Sequence, residues 1–146
     1  RCNPFHVPDM ISEAIYLANK VHGSQTDKNG EPYLLHVLRV MFAVPAELMV
    51  PAVLHDSIED AEDPEAIAEE ILIRFGEDVA QIVDNVTHRK NERNIDYWSR
   101  AASHEGSRKI KVADVLDNST RLYKIKDPAT VERLRNKYTE ALRMLI

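Results

Sequence analysis

The densest chemistry in the chain is the hexapeptide His55-Asp56-Ser57-Ile58-Glu59-Asp60. On a helix, residues four apart share a face, so His55 lines up with Glu59 and Asp56 with Asp60. Two adjacent rows then carry an imidazole and three carboxylates toward one place. Imidazole nitrogen and carboxylate oxygen together suit a divalent metal such as manganese, iron or zinc. With no lysine nearby, these groups repel one another unless a cation sits among them. A solvated acidic helix end is the competing reading, because Glu62 and Asp63 continue the negative run.

Two further positions bear on that choice. His36 interrupts the apolar run Tyr33-Leu34-Leu35-His36-Val37-Leu38, where a hydrogen-bonded core histidine is the bland alternative to a ligand. Asp114 lies among Ile110, Val112, Ala113, Val115 and Leu116. Burying an unpaired carboxylate costs on the order of a few kcal/mol, so it calls for a cation, a donor or a metal. A salt bridge to Lys111, or a cap on another helix, would also satisfy it. One metal explains the three oddities more economically than three separate accidents. Helical spacing also brings Asn118 and Arg121 onto the side of Asp114, an amide and a guanidinium suited to a phosphate or a nucleobase. A guanidinium that simply faces water is the alternative for Arg121. Asp117, one row over, reads as a cap or a solvent-facing residue.

These side chains need helices to hold them. Residues 9–22 place Ile11, Ile15, Ala18 and Val21 at helical spacing, and the polar stretch 23–31 is a glycine-bounded loop. Pro32 suits the first turn of a helix through about Ala43. Residues 46–60 read as one helix bent at Pro51. Segment 64–74 turns Ile67, Ile71 and Leu72 inward, and 77–87 follows Gly76. Segment 93–103 puts Ile95, Trp98 and Ala101 or Ala102 on one side. A long helix over 107–125 packs through Ile110, Ala113, Val115 and Leu122. Residues 128–145 open with Pro128 and carry Val131, Leu134, Tyr138, Leu142 and Leu145. No period-2 strand stands out, so the fold class is all-α, a single domain of about seven or eight helices.

Composition agrees. The 146 residues are 44% hydrophobic and 29% charged with net charge -5, which fits one globular domain and argues against broad nucleic-acid or anionic-membrane binding. No apolar run approaches the roughly 18 residues of a membrane span, and Arg1-Cys2-Asn3-Pro4 has no apolar signal core. Cys2 is the single cysteine, which excludes an internal disulfide or a multi-thiolate zinc site and makes a reducing, cytoplasmic setting the simplest reading. Tyr97-Trp98 reads as packing between helices, His88 and His104 as exposed, and Arg108, Lys109 and Lys111 as a solvated helix start. The apolar end Met144-Leu145-Ile146 leaves room for contact with a second copy, a homo-oligomer.

The order His36, His55-Asp56, Asp114 resembles the H…HD…D signature of HD-domain metal-dependent phosphohydrolases. The similarity is closer to the RelA/SpoT-type alarmone hydrolases, including the small stand-alone ones. It is carried by His22-Gly-Ser-Gln25-Thr-Asp-Lys28-Asn-Gly30-Glu-Pro32-Tyr33-Leu-Leu-His36, by Leu54-His55-Asp56-Ser-Ile-Glu59-Asp60 and by Lys111-Val-Ala-Asp114-Val-Leu-Asp-Asn118. Val86-Thr87-His88-Arg89-Lys90 is similar to a family element near the pocket. The resemblance runs from about residue 10 to about 125, and with the helix over 128–145 it implies one HD domain spanning 1–146.

What the resemblance implies is specific. His36, His55, Asp56 and Asp114 would be metal ligands, with manganese the usual ion. Glu59 and Asp60 match the pair that activates or orients the attacking water. Lys28 matches a basic loop position that contacts nucleotide or phosphate, Asn118 an amide lining the pocket, and Arg89 and Arg121 are further candidates for the phosphates. The chain departs from the pattern at Asp27, where the alarmone hydrolases usually carry arginine, and at Asp117, where a larger group is commoner. The expected activity is hydrolysis of a phosphorylated nucleotide in the manner of a guanosine 3′,5′-bis(diphosphate) 3′-pyrophosphohydrolase. A 5′-nucleotidase-like HD phosphohydrolase, a metal-dependent nucleotide-binding module without turnover and an inert helical interaction module are the alternatives.

Overall fold

Proline, glycine and aspartate mark several of the helix ends. The computed structural model describes residues 7–146, so the readings on Cys2 and on Arg1–Pro4 lie outside the described residues. Eight α-helices follow in order: α1 (Val7–His22), α2 (Tyr33–Phe42), α3 (Met49–Val53), α4 (Pro64–Phe75), α5 (Glu77–Asn85), α6 (Asn94–Ala102), α7 (Glu105–Ser119) and α8 (Pro128–Leu145). Asp63 caps α4 by accepting from the Ala66 N–H at 3.2 Å, with Pro64 as the first helical residue. Gly76, at φ 91°, takes the left-handed turn that separates α4 from α5. Among the described residues no β-strand forms, only an isolated bridge between Thr26 and Pro32 that closes the loop after α1. Among the described residues no helix is long and apolar enough to cross a membrane.

Three expectations are corrected. Residues 46–60 are not one helix: a 3-10 turn (Ala46–Leu48) leads into the short α3, and residues 54–60 continue as turns. Pro51 sits in the first turn of α3, where no donor is needed, so it does not cause the break. The chain instead tightens through i+3 bonds, His55 N–H to Ala52 O and Ser57 N–H to Leu54 O. The expected helix 107–125 stops at Ser119, and a 3-10 turn (Leu122–Lys124) follows. Leu72 and Ile95 are 46% and 52% exposed, because Ile71 with Phe75 and Tyr97 with Trp98 are the residues that turn inward.

Two apolar clusters fill the interior. Leu17, Val37, Met41, Leu54, Ile71 and Val83 pack together beneath α1 to α5. Val40, Trp98, Ile110, Val115, Ala141 and Leu145 form the second, joining α2 to α6, α7 and α8. The buried polar residues His36, His55, Asp56 and Asp114 come from α2, from the turn after α3 and from α7, so the packing of both clusters holds them in place.

Candidate metal centre

Helix α2 directs His36 into the interior because its neighbours on the same face, Val37 and Val40, are fully buried. The turn after α3 brings His55 and Asp56 to the same point, and α7 supplies Asp114 from the opposite side. One ligand atom from each of these four buried residues lies within 4.8 Å of every other. His36 Nε2 is 2.9 Å from Asp114 Oδ1, and His55 Nε2 is 3.0 Å from Asp56 Oδ2.

The outer nitrogens are occupied. His36 Nδ1 lies 2.7 Å from Asp117 Oδ2, and Arg39 Nε donates to the other oxygen of that carboxylate at 2.8 Å. His55 Nδ1 is 2.7 Å from the Ala52 carbonyl. Both contacts favour a proton on Nδ1 and a lone pair on Nε2 facing the cluster, the arrangement in which imidazole binds a metal. Asp117 was expected to cap or face solvent; instead it braces His36, because α7 turns it toward α2. The i+3 spacing from Asp114 was the available signal for it.

Lys111, read both as a partner of Asp114 and as part of a solvated helix start, is the partner. Its ammonium donates to Asp114 Oδ2 at 2.7 Å, lies 4.6 Å from the Tyr97 ring centroid, and its side chain is 12% exposed. The two readings of Asp114 therefore coexist, with Oδ2 paired to Lys111 and Oδ1 facing the histidines. On Asp56, Tyr33 donates its hydroxyl to Oδ2 at 2.5 Å. The Tyr33 ring stands between those of His22 and His36, at centroid distances of 5.1 and 5.3 Å.

Charge is concentrated here. Burial lowers the pKa of His36, yet hydrogen bonds to Asp114, Asp117 and Asp56 outweigh it and push the group up to about 11. Against the same desolvation, the Asp56 charge and the contact with Asp114 raise His55 to about 10. Burial would raise Asp56 and Asp114, but the charges of His55 and Lys111 respectively hold them well below the carboxylate range. Without another cation, the cluster keeps its carboxylates ionised by protonating its own histidines. Two neutral imidazoles and two carboxylates around one point form a donor set that fits a divalent metal.

Glu59 and Asp60 part company. Glu59 faces the cleft, where it accepts the His88 backbone N–H at 2.7 Å; burial and then the Asp56 charge raise its pKa. Asp60 lies on the side of α1: its carbonyl accepts from Gln25 Nε2 at 3.0 Å, and its carboxylate is 3.9 Å from His22 Nδ1. Burial, followed by the charges of Asp56 and Glu59, pushes Asp60 up to about 7. The helical rows expected for these residues do not exist, because residues 54–60 are turns.

Two cavities open beside the cluster, of about 330 and about 470 Å³, and both are lined by Tyr33, Glu59, Asn118, Lys137 and Tyr138. Lys28 and Arg121 line the second. Asn118 donates to Asp114 Oδ1 at 3.3 Å. The loop that carries Lys28 is built on Asp27, whose Oδ1 accepts the N–H groups of Asn29 and Glu31 at 2.8 and 2.9 Å. Arg89 lies apart, on the exposed surface, paired with Asp84 at 3.1 Å. His88, expected to be exposed, is half-buried in the cavity wall with its ring edge-on to Tyr97. Helix α8, whose sequence reads as a packing helix, supplies Lys137 and Tyr138 to both cavities.

The HD domain family matches residues 14–137. The chain belongs to the HD-domain family. Its fold is that family's all-helical bundle: a solved metazoan ortholog of SpoT that hydrolyzes ppGpp superposes with a TM-score of 0.80 at 23% identity, covering 93% of this chain and 85% of that one. The guanosine-3′,5′-bis(diphosphate) 3′-pyrophosphohydrolase of Aquifex aeolicus is 36% identical over 129 residues, 85% of this chain and 17% of the relative. A GTP pyrophosphokinase of Myxococcus xanthus is 36% identical over 126 residues, 82% of this chain and 16% of its own. The bifunctional (p)ppGpp synthase/hydrolase SpoT of Escherichia coli is 30% identical over 122 residues, 80% and 17% of the two chains. The chain thus spans about a sixth of the length of these curated relatives.

Proposed function

We propose that this HD domain is a metal-dependent phosphohydrolase acting on a phosphorylated nucleotide, in the manner of a guanosine 3′,5′-bis(diphosphate) 3′-pyrophosphohydrolase. The observation that carries this reading is the cluster of His36, His55, Asp56 and Asp114, buried at the edge of a cleft with cationic side chains on its walls. The names of the relatives supply the substrate class. Manganese is the ion proposed, and the cytoplasm, where such nucleotides are found, is the setting proposed. Residues 1–146 are read as a single HD domain.

In this reading His36, His55, Asp56 and Asp114 hold the ion, with Asp117, the Ala52 carbonyl, Tyr33 and Lys111 fixing their orientation. A divalent ion, when bound, acidifies water and offsets negative charge building on phosphorus. Glu59 faces the cleft with a raised pKa, which suits it to accept a proton from the attacking water. Asp60, drawn toward His22 on the side of α1, is kept as a candidate that would have to turn from it to reach the water. Lys28, Asn118 and Arg121 line the space for the nucleotide. Arg89 is kept only as a candidate that would have to release Asp84 to reach a phosphate.

The test is incubation with guanosine tetraphosphate and manganese, with the products resolved by anion exchange. Pyrophosphate release that Asp114→Ala abolishes supports the reading. Orthophosphate and a nucleoside would mark a 5′-nucleotidase instead, and an unchanged nucleotide with bound metal would mark a binding module.

A further inference from the structure

Most lysines near the site are paired: Lys111 with Asp114, Lys124 with Glu31 and Lys109 with Glu105. Among the described residues Lys28, Arg121 and Lys137 have no carboxylate partner, yet all three line the cavity of about 470 Å³. They come from the loop after α1, from the residue preceding the 3-10 turn after α7, and from α8, in a chain whose net charge is -5. Asp27 and Glu59 line the same cavity without pairing with any of the three, and cations gathered around one space repel one another. Lys137 is exposed at the cavity mouth, yet desolvation, followed by the charges of Lys111, Lys28 and Arg133, holds its ammonium below the ordinary lysine pKa. An anion arriving from solution offsets that repulsion.

Lys137 also occupies a special place. It lines the cavity shared with Asp56, Glu59 and Asp114 as well as the one shared with Lys28 and Arg121. Lys137 thus stands between the metal cluster and the other cations, within reach of a nucleotide with one phosphate group at the cluster.

We propose that Lys137 holds the phosphate group of the nucleotide that is not cleaved, and so determines specificity for nucleotides phosphorylated at both ends. This rests on the phosphohydrolase reading above and names the residue on α8 that selects among its substrates. The competing account is a solvated surface lysine.

The experiment compares the wild-type chain with Lys137→Gln in two ways. Calorimetric titration of the metal-free chain with guanosine 5′-diphosphate reads the contact without turnover. The substitution is expected to weaken that affinity about tenfold, as for a lost charge-assisted hydrogen bond, and to weaken the affinity for guanosine far less. The thermal midpoint is expected to hold or rise, because a cation leaves a cluster of cations, whereas a packing role would lower it. With guanosine tetraphosphate and manganese, KM is expected to rise about tenfold while kcat changes much less. Equal diphosphate affinity in the two chains overturns the proposal. A loss of diphosphate affinity in a chain that hydrolyses nothing overturns the hydrolase reading and leaves the Lys137 contact standing.

Discussion

His36 and Asp117 lie 81 positions apart in the chain and meet at 2.7 Å, ring Nδ1 against carboxylate oxygen. Arg39, on the same helix as His36, grips that carboxylate from the other side, so α2 and α7 are tied through one residue. With burial opposed by these two partners, the Asp117 pKa drops to about 2. The carboxylate thus stays ionised, and the imidazole presents Nε2 inward.

Asp117→Asn keeps the shape of this contact and removes its charge. Outer partners of ligating histidines are worth about 10- to 100-fold in metal affinity, and a drop in that range is expected for manganese binding measured by calorimetry. An unchanged affinity would show that His36 needs no brace.

Metal binding should release protons. His36 and His55 stand at about 11 and about 10 without a cation, so both are charged at neutral pH and must be neutral to bind. About two protons per ion are expected near pH 7, read from calorimetry in buffers of different ionisation enthalpy. The stability consequence follows in sign. The raised histidine pKa values stabilise the metal-free fold fully below the unfolded value near 6.5, and this contribution fades as pH rises through 10 and 11. Metal therefore raises the thermal midpoint more at pH 8.5 than at pH 6, and the reverse order would count against the assignment.

Glu59→Gln is expected to lower kcat by about 10²- to 10⁴-fold, the range for a lost proton acceptor, while manganese affinity stays near wild type. Loss of metal together with activity would instead make Glu59 a ligand.

Asp60 provides a local gauge of the site's charge. Its pKa stands at about 7 partly because of the Asp56 carboxylate. A divalent ion beside Asp56 offsets that charge but displaces the charges of His36 and His55, so the Asp60 carboxyl resonance is expected to keep its titration in magnesium-loaded protein. Carbon NMR checks this, and a large shift would show that the ion and the two protons do not exchange.

Lys111→Met strips Asp114 of its buried partner. Breaking such a pair typically costs about 3 to 5 kcal/mol, and with the Lys111 side chain 12% exposed a loss near the lower end is expected in urea unfolding of the metal-free chain. Bound manganese should recover part of it by supplying the missing positive charge.

The residue types and their order determined a great deal. Helical spacing of apolar residues gave the all-α class, and His36, His55, Asp56 and Asp114 stood out because polar ligands among apolar neighbours need a shared reason to be there. These features are local, and local chemistry is legible along the chain. The tertiary structure alone decided which side chains meet. It broke the expected helix over 46–60 into turns, which sent Glu59 to the cleft and Asp60 toward His22. It brought Asp117 to His36 and Lys137 to the cavity from helices whose relative rotation no one-dimensional spacing specifies. That rotation is fixed by how the two apolar clusters pack, and packing is a property of all the helices at once.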